Sequence, residues 1–372
     1  MTADLARHPG GPGISPSRPA PIPRRSALGR LLTPTLALGI VVVLVVSGST
    51  GPLQTTFMES LQIMTGHLIP GMPWMTDGSL TVSQDQAVWS FRVPRALLAG
   101  IAGASLALAG ALLQANVRNP LAEPYILGVS AGAGVGAVVA IVAGSTAVAG
   151  IGLNASAFAG AAAATALVYL LAKQDGAIAP SRLILAGVAL GSLLSAVTNF
   201  LTITTDAQNV YSVLFFLLGS VSAATYPQLL LPGLALLAVS VFAMLRSRAL
   251  NAFLAGDETA TALGVNVESM RRTLLLATAL LTATTVAVCG GIGFVGLVVP
   301  HAARILVGSD HRKMLPVSIF GGALFLMVTD LLARSVAQPA EIPLGILTAT
   351  VGAPFFLWLM RSNGAVRGGI KR

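Results

Sequence analysis

Apolar runs of about the length that spans a membrane recur along most of this chain, and they restrict its fold more than any other feature. A helix of about 20 predominantly apolar residues crosses the hydrocarbon core of a bilayer. Ten such segments, some of them short, lie at roughly 31–49, 93–115, 126–149, 154–172, 182–203, 227–246, 273–292, 294–308, 315–337 and 342–360. The pattern predicts an all-α polytopic membrane protein, with about ten transmembrane helices in one domain that covers 31–361.

The composition excludes a large soluble domain. Of the 372 residues, 55% are hydrophobic and 9% are charged, whereas a soluble globular domain carries about 25% charged residues. The 40 glycines indicate close helix packing, and Gly128, Gly132 and Gly136 repeat on one helix face. With Ser130 between them, these residues are candidates for packing, for lining a pathway, or for both.

The basic residues indicate how the chain is oriented. The formal net charge is +9, and most Lys and Arg residues flank apolar runs, so the charge indicates membrane topology rather than nucleic-acid binding. Alternating the segments from a cytoplasmic amino terminus places both termini in the cytoplasm. Residues 1–30, which are rich in Pro, Gly, Ser and Arg, are predicted to be a disordered cytoplasmic tail, and 362–372 a basic cytoplasmic tail.

Three arginines break this orientation rule. Arg92, Arg95 and Arg334 fall on the outer side of the membrane. Asp330 lies four residues before Arg334, so the two side chains can pair on one helix face. We expect the three arginines to form an exposed external patch, with snorkelling to lipid headgroups as the alternative.

A structured turn is predicted on the cytoplasmic side, between the second and third segments. Two prolines exclude a simple helical hairpin there, and the residue before a proline is pushed to extended geometry. The residues of this turn are Asn119, Pro120, Leu121, Ala122 and Pro124.

The longest cytoplasmic loop covers about 250–272. It is predicted to form a short helix that Asp257 or Thr259 could cap, a break at Gly264, and a second short helix that ends at Arg271 and the arginine after it. An exposed helix-turn-helix buries little by itself, which favours a docking platform for a partner over a folded surface loop.

The motifs for chemistry are weak. A G-x-S-x-G pattern surrounds Ser130, but the nucleophile elbow needs a strand-to-helix turn, and this pattern opens an apolar helix. His301 has no second His, Cys or carboxylate at metal spacing, and the chain has no Walker A sequence. We therefore predict no catalytic residue, no metal and no cofactor. If the chain takes part in active transport, the energy comes from another subunit or, in an ion-coupled secondary transporter, from an ion gradient; an intramembrane hydrolase is the other alternative.

Five strings in a fixed order give the chain a specific resemblance. They are RVPR (92–95), SLALAGALLQANVRNPLAEPYILGVSAGAG (105–134), LGVNVESMRR (263–272), GFVGLVVPHAARILVGSDHRKMLP (293–316) and EIPLGILTATVGAPFF (341–356). With them the chain resembles the FecCD-type permeases, the membrane subunits of binding-protein-dependent ABC importers for iron-siderophores, haem and cobalamin. The resemblance covers most of the chain from about residue 90.

The resemblance implies a function and a set of partners. Such a permease pairs with a second permease subunit, identical or similar, in the cytoplasmic (inner) membrane of a bacterium. It forms the translocation pathway for a metal chelate, here expected to be a ferric siderophore. Two ATPase subunits drive it by alternating access, and an extracytoplasmic substrate-binding protein delivers the chelate.

The resemblance also implies residue roles. The residues expected to receive the binding protein are Arg92, Arg95 and Arg334. The residues expected at the contact with the ATPase subunits are Leu263, Gly264 and Val265.

Overall fold

The computed structural model describes residues 25–147, 152–174, 177–178, 180–337 and 340–368. Within these ranges the α-helices are α1 (Arg25–Ser49), α2 (Phe57–Leu68), α3 (Val82–Asp85), α4 (Val93–Val117), α5 (Val129–Ala147), α6 (Leu153–Ala172), α7 (Pro180–Thr204), α8 (Ala207–Leu218), α9 (Tyr226–Leu245), α10 (Ser247–Leu254), α11 (Asp257–Ala262), α12 (Val267–Cys289), α13 (Val295–Val307), α14 (His311–Ala333) and α15 (Leu344–Gly368). A two-residue antiparallel ribbon, β1 (Lys173–Gln174) with β2 (Ala177–Ile178), joins α6 to α7.

Seven helical stretches of the described chain are long and apolar enough to cross a membrane: Leu31–Ser49, Val82–Val117, Leu153–Ala172, Ser181–Thr204, Tyr226–Leu245, Val267–Cys289 and His311–Ala333. Four shorter helices are also apolar: Val129–Gly144, Ala207–Leu218, Val295–Val307 and Leu344–Trp358. The predicted all-α polytopic fold is confirmed. The predicted segments miss one apolar helix, α8. It has 12 residues, whereas a membrane-spanning helix is recognised in a sequence by a run of about 20 apolar residues.

The long helix α4 is the centre of the molecule. A π-helical turn, Gln86–Arg92, joins α3 to α4, and the most apolar window of the resulting 36-residue helical stretch is 89% buried. The helices α1, α9, α12, α13 and α14 pack around it. Glycine allows the closest of these approaches, since a Cβ atom at Gly110 would lie 1.9 Å from the carbonyl oxygen of Gly296. A helix that is apolar on all sides is buried in this way.

A second group of helices, α5, α6 and α7, packs beside this core. A Cβ atom at Gly132 would lie 2.4 Å from the carbonyl oxygen of Gly160, and one at Gly136 would lie 2.1 Å from that of Ser156. The structure therefore places Gly132 and Gly136 at a close helix contact, as small residues are used in membranes. The helix α5 departs from helical geometry at Gly144, earlier than the sequence predicts.

The two predicted tails are shorter than expected where the structure describes them. The helix α1 begins at Arg25, inside the predicted tail 1–30, and α15 continues to Gly368, past the predicted boundary at 361. Hydropathy marks only the apolar part of a helix, and Ala, Leu and Arg extend α1 because they are good helix formers. Residues 1–24 and 369–372 lie outside the described residues.

Candidate functional site

Three arginines that are far apart in the sequence line one cavity of about 690 Å³. Arg92 ends the π-helical turn, Arg95 lies in the first turn of α4, and Arg334 follows the last residue of α14. We call Arg92, Arg95 and Arg334 the arginine cluster. The helices α4 and α14 pack together along their length, which brings the three side chains to the same end of the molecule.

Arg92 is bound to the last turn of α1 and to the backbone that follows it. Its Nη1 donates to the carbonyl oxygen of Gly48 (2.7 Å) and to Oγ1 of Thr55 (2.6 Å), and its Nη2 donates to the carbonyl oxygen of Leu53 (2.6 Å). Only 7% of Arg92 is exposed. This guanidinium therefore satisfies the carbonyl group of Gly48, one of those that a helix end leaves without intrahelical donors, and that of Leu53 in the chain after the helix.

Arg334 holds the same stretch of chain from the other side. Its Nη1 donates to the carbonyl oxygen of Thr50 (2.7 Å) and its Nη2 to that of Ser47 (2.8 Å). It is 8% exposed. Two buried arginines thus fix the end of α1 and the non-helical chain after it.

Arg95 joins two carboxylates. Its Nε donates to Oδ1 of Asp330 (3.0 Å), and its Nη1 donates to Oε1 of Glu341 (2.7 Å). The sequence predicts that Asp330 pairs with Arg334, but that ion pair is 3.8 Å long, whereas Asp330 lies 2.9 Å from Nη2 of Arg95. The Asp330 side chain is 1% exposed and that of Glu341 is 36% exposed.

The structure brings the predicted arginines together, but the expectation of an exposed patch is wrong. The three guanidinium groups already donate hydrogen bonds to carbonyl groups of this chain and to two of its carboxylates. Glu341, the half-exposed carboxylate of the network, is the partner that an incoming protein could most easily replace. The role of the cluster in docking stays a prediction.

The predicted turn after α4 has a defined geometry. Arg118 ends α4 in the left-handed conformation (φ 51°). Oδ1 of Asn119 accepts from the backbone N–H of Leu121 (2.9 Å), as in an Asx-turn. Pro124 then begins a short 3₁₀ helix that ends at Gly128 (φ 70°). The prolines and the positive φ angles together turn the chain back into α5.

This turn also supports a non-helical stretch between α12 and α13. The Tyr125 hydroxyl donates to the carbonyl oxygen of Ile292 (2.8 Å) and accepts from its N–H (2.7 Å). Oε1 of Glu123 accepts from the N–H of Phe294 (2.6 Å). Backbone that is not helical within a membrane-spanning bundle needs partners inside the protein. Sequence reasoning missed Glu123 and Tyr125, although both lie in a string that it singled out.

A groove of about 600 Å³ runs between α5 and α7. Small and hydroxyl-bearing residues make up much of its wall: Gly128, Ser130, Gly134, Gly187, Gly191, Ser192, Ser195 and Thr198. Glu123 is the one carboxylate among the described residues that line it. Only 17% of the most apolar part of α7 is buried, so the described residues of a single chain leave this wall uncovered. Ser130 faces the groove, whereas Gly132 and Gly136 face α6.

The loop predicted over 250–272 forms α10, α11 and the first turns of α12. The helix α11 ends in a Schellman motif, because Gly264 N–H donates to the carbonyl oxygen of Thr261 (2.9 Å) and Val265 N–H to that of Ala260 (3.0 Å). Gly264 has the positive φ (+81°) that this motif requires. The predicted second short helix is instead the beginning of the long α12.

The tip of this segment is apolar and uncovered. Leu263 is 68% exposed, and a Cβ atom on Gly264 would meet no atom within 4 Å. Neither predicted capping residue caps α11, since its N-cap position is Gly256. The carboxylate of Asp257 instead bonds to Arg271 (2.8 Å) and Arg118 (3.0 Å), which ties α11 to the ends of α12 and α4.

A second contact ties the same segment to α14. Nδ2 of Asn251 donates to Oδ1 of Asp310 (2.7 Å), and Oδ1 of Asn251 accepts from the N–H of His311 (2.9 Å). The Asn251 amide lowers the pKa of Asp310 because it stabilises the carboxylate. The helix α14 has 23 residues, so this contact lies about 34 Å from the arginine cluster.

Two residues considered for chemistry do not meet. Among the described residues no hydrogen bond joins Ser130 to His301. His301 lies on α13 one turn before Arg304, whose guanidinium donates to the side-chain oxygen of Gln114 on α4.

The comparisons with known proteins agree on one family. The model of the FecCD transport family matches residues 39–362. The cobalamin import system permease protein BtuC of Halobacterium salinarum is 39% identical over 371 residues, which cover 91% of this chain and 98% of the relative. The hemin transport system permease protein HmuU of Yersinia pestis is 37% identical over 342 residues, which cover 90% and 98%.

A solved structure has the same fold. It is an ABC transporter in an inward-facing conformation that is assigned to the metal-chelate type, with a TM-score of 0.76, 32% identity, and coverage of 90% of this chain and 99% of that chain. The family match over most of the chain and these relatives show that the chain belongs to the FecCD transport family, and that it is a transporter membrane subunit rather than an enzyme.

Proposed function

We propose that this chain forms one half of the pathway through which an ABC importer moves a bulky metal chelate. The observation that carries the proposal is the groove between α5 and α7, which is wide, poor in charge and open along α7. A carrier coupled to an ion gradient would be expected to hold acidic residues at mid-membrane. A second permease subunit, identical or similar, would close the groove into a pathway.

The orientation proposed from the charges places the arginine cluster outside and the 250–272 segment in the cytoplasm. Cysteine introduced at Ser79, in the stretch between α2 and α3, should react with an impermeant thiol reagent in intact cells. Cysteine at Thr261, which is exposed on α11, should react only after the membrane is opened. The reverse pattern would invert the topology. Cys289 is buried and does not compete.

The exposed tip of the 250–272 segment fits a contact with ATPase subunits. Leu263 offers apolar area that the described residues leave exposed, and Gly264 makes the tight end of α11 possible. Ties to α4, α12 and α14 would transmit a movement of this tip into the bundle, because the helices are closely packed. Differential contact with two permease states is what couples an ATPase cycle to transport.

The arginine cluster fits a contact with acidic groups of a substrate-binding protein. Reversing the charge of all three arginines would not test this cleanly, because each is largely buried and bonded within the chain. Glu341 is the informative residue, since it is half exposed and holds Arg95 from the open side.

The proposed function is tested by transport in vesicles that contain the chain with its ATPase and binding-protein partners. Labelled cobalamin, haem and a panel of ferric siderophores should be compared, because the named relatives carry cobalamin and hemin and the sequence resemblance favours a siderophore. Uptake of one class should require ATP. Uptake by the chain alone on an ion gradient would contradict the proposal.

A variant that blocks the groove, with a matched control outside it, tests where the pathway lies. Ser195 lines the groove, and Ser195→Trp should abolish uptake while the complex still assembles. Ala163 on α6 is exposed outside the groove, and Ala163→Trp should leave uptake unchanged. Equal uptake by both variants would place the pathway elsewhere.

A further inference from the structure

A second groove, of about 510 Å³, lies where α6 passes α12. Its wall is aliphatic and aromatic, with Phe158 and Ala166 on α6 and with Leu276 and Leu280 on α12. Among the described residues of the wall, Arg272 is the one charged side chain. The groove is separate from the one between α5 and α7, since Gly132 and Gly136 bring α5 against α6 between the two.

The groove opens on a surface that faces lipid. The side chains around it are large, apolar and exposed: Leu170 is 64% exposed, Leu171 60% and Leu276 61%. In a chain that spans the bilayer such a surface contacts acyl chains, because no water is available at that depth. An acyl chain in this groove would supply the dispersion contacts that its wall residues lack on the open side.

Three cations lie at or near one end of the groove. Arg272 lies in the first turns of α12, Lys173 directly follows α6, and Arg182 precedes the wall residue Leu183. All three cations are exposed, and none of them makes an ion pair with a carboxylate within the described part of the chain. Basic pockets between membrane helices bind anionic lipid headgroups.

We propose that this groove is a binding site for one anionic phospholipid. Its acyl chain lies along α6 and α12, and its phosphate meets Arg272, with Lys173 and Arg182 next to it. A zwitterionic lipid would place its own ammonium group among these cations, so the site selects a headgroup with net negative charge. The proposal rests on the chain spanning a membrane and does not depend on which substrate it carries.

The test uses the assembled transporter, purified and placed in nanodiscs of phosphatidylcholine with increasing phosphatidylglycerol. Native mass spectrometry counts the lipids retained after the disc is removed. We expect one phosphatidylglycerol to be retained in preference to phosphatidylcholine. Arg272→Gln should weaken this retention about fivefold, the contribution expected of one basic residue near a lipid headgroup. Glycerol 3-phosphate should not compete, because it lacks the acyl chain.

Two matched pairs separate a built site from general attraction. Ala166→Trp fills the groove from its wall and should abolish retention, whereas Ala163→Trp adds the same bulk outside it. Arg272→Gln should weaken retention, whereas Arg248→Gln, which removes an exposed cation beyond the groove, should not. The thermal midpoint of each variant verifies that it is folded.

Three results would overturn the proposal. Equal loss with Arg248→Gln would mean diffuse surface charge. Unchanged retention with Ala166→Trp would place the lipid elsewhere. Loss of the second permease subunit with Ala166→Trp would make this face a subunit contact. The first two results would leave the proposed function untouched. The third would also count against the proposed function, because it would move the subunit contact away from the groove between α5 and α7.

Discussion

The two ends of α14 differ in how far nearby side chains already have partners within this chain. At one end the arginine cluster is closed, with Arg92 and Arg334 at 7% and 8% exposure. At the other end α14 begins against Asn251, in a segment whose tip, Leu263, is 68% exposed. A partner at the first end must replace bonds that exist, whereas a partner at the second end covers an apolar surface that the described part of this chain leaves exposed.

This difference indicates different kinds of association. Exchange of one carboxylate for another at the arginine cluster changes the free energy little, so binding there should be reversible and sensitive to salt. Burial of Leu263 and its neighbours removes apolar area from water, at about 25 cal/mol per Å². We therefore expect a transient partner at the arginine cluster and a permanent one at the 250–272 segment.

The largest effect should follow from loss of the carboxylate at the centre of the closed end. Asp330→Ala leaves Arg95 with Glu341 alone and removes the charge beside Arg334. Removing one partner of a buried ion pair costs about 3–5 kcal/mol. The midpoint of thermal unfolding of the purified transporter should fall clearly.

Glu341→Ala is the control for this effect, since the same cluster loses a carboxylate that is 36% exposed. Its midpoint should fall much less. If the two variants unfolded at the same temperature, burial would not be what distinguishes the two carboxylates.

A smaller effect is expected at the open end. Gly264→Val places a β-branched residue at φ +81° with no steric obstacle around it, and a left-handed conformation costs a non-glycine residue about 1–3 kcal/mol. The end of α11 should rearrange, and co-purification of the ATPase subunits should be lost while the permease still inserts into the membrane.

Gly308→Val is the matched control. Gly308 follows α13 with φ +86° and ψ −179° and has the same open surroundings, so valine there strains the backbone at least as much, at a position outside the 250–272 segment. Loss of the ATPase subunits from both variants would show that strain, and not the position of Gly264, is responsible.

The sequence was sufficient for the parts of the fold that depend on hydropathy and on local backbone chemistry. Long apolar runs predicted the spans, and a glycine after a short helix predicted the break at Gly264, where the structure has a positive φ. The pair of prolines predicted the turn after α4. Each of these signals acts over a few residues, so a single sequence displays it directly.

Tertiary contacts decide the rest. The hydropathy and charge pattern predicted that Arg92 and Arg334 lie on one side of the membrane, but their burial depends on carbonyl groups more than 30 residues away in the chain. Asp330 was assigned to Arg334 by helical spacing, and the fold offers it the closer Arg95. The hydrogen bonds between Tyr125 and the backbone of Ile292 correspond to no sequence pattern around either residue.

A still smaller effect should follow at Asp257, which ties α11 to its neighbours. Asp257→Ala removes the bonds to Arg118 and Arg271, and partly exposed pairs contribute about 1 kcal/mol or less. The amide hydrogens of α11 should exchange faster, with little change in α5. Unchanged exchange in α11 would mean that the helix is held by its packing on α10 and α12 rather than by this carboxylate.

The smallest effect is expected from the exposed carboxylate of the arginine cluster. Glu341→Gln keeps the shape of the side chain and leaves Nη1 of Arg95 without its charged partner. If an acidic protein surface docks at the arginine cluster, the purified binding protein should associate roughly threefold faster at low salt, since rim charges act mainly on the association rate. The gain should shrink as salt is added.

Asp77→Asn, which removes one exposed charge from the stretch before α3, should change the rate less. Equal acceleration by both variants would indicate net charge alone, and no acceleration with Glu341→Gln would mean that the cluster only holds α1, α4 and α14 together.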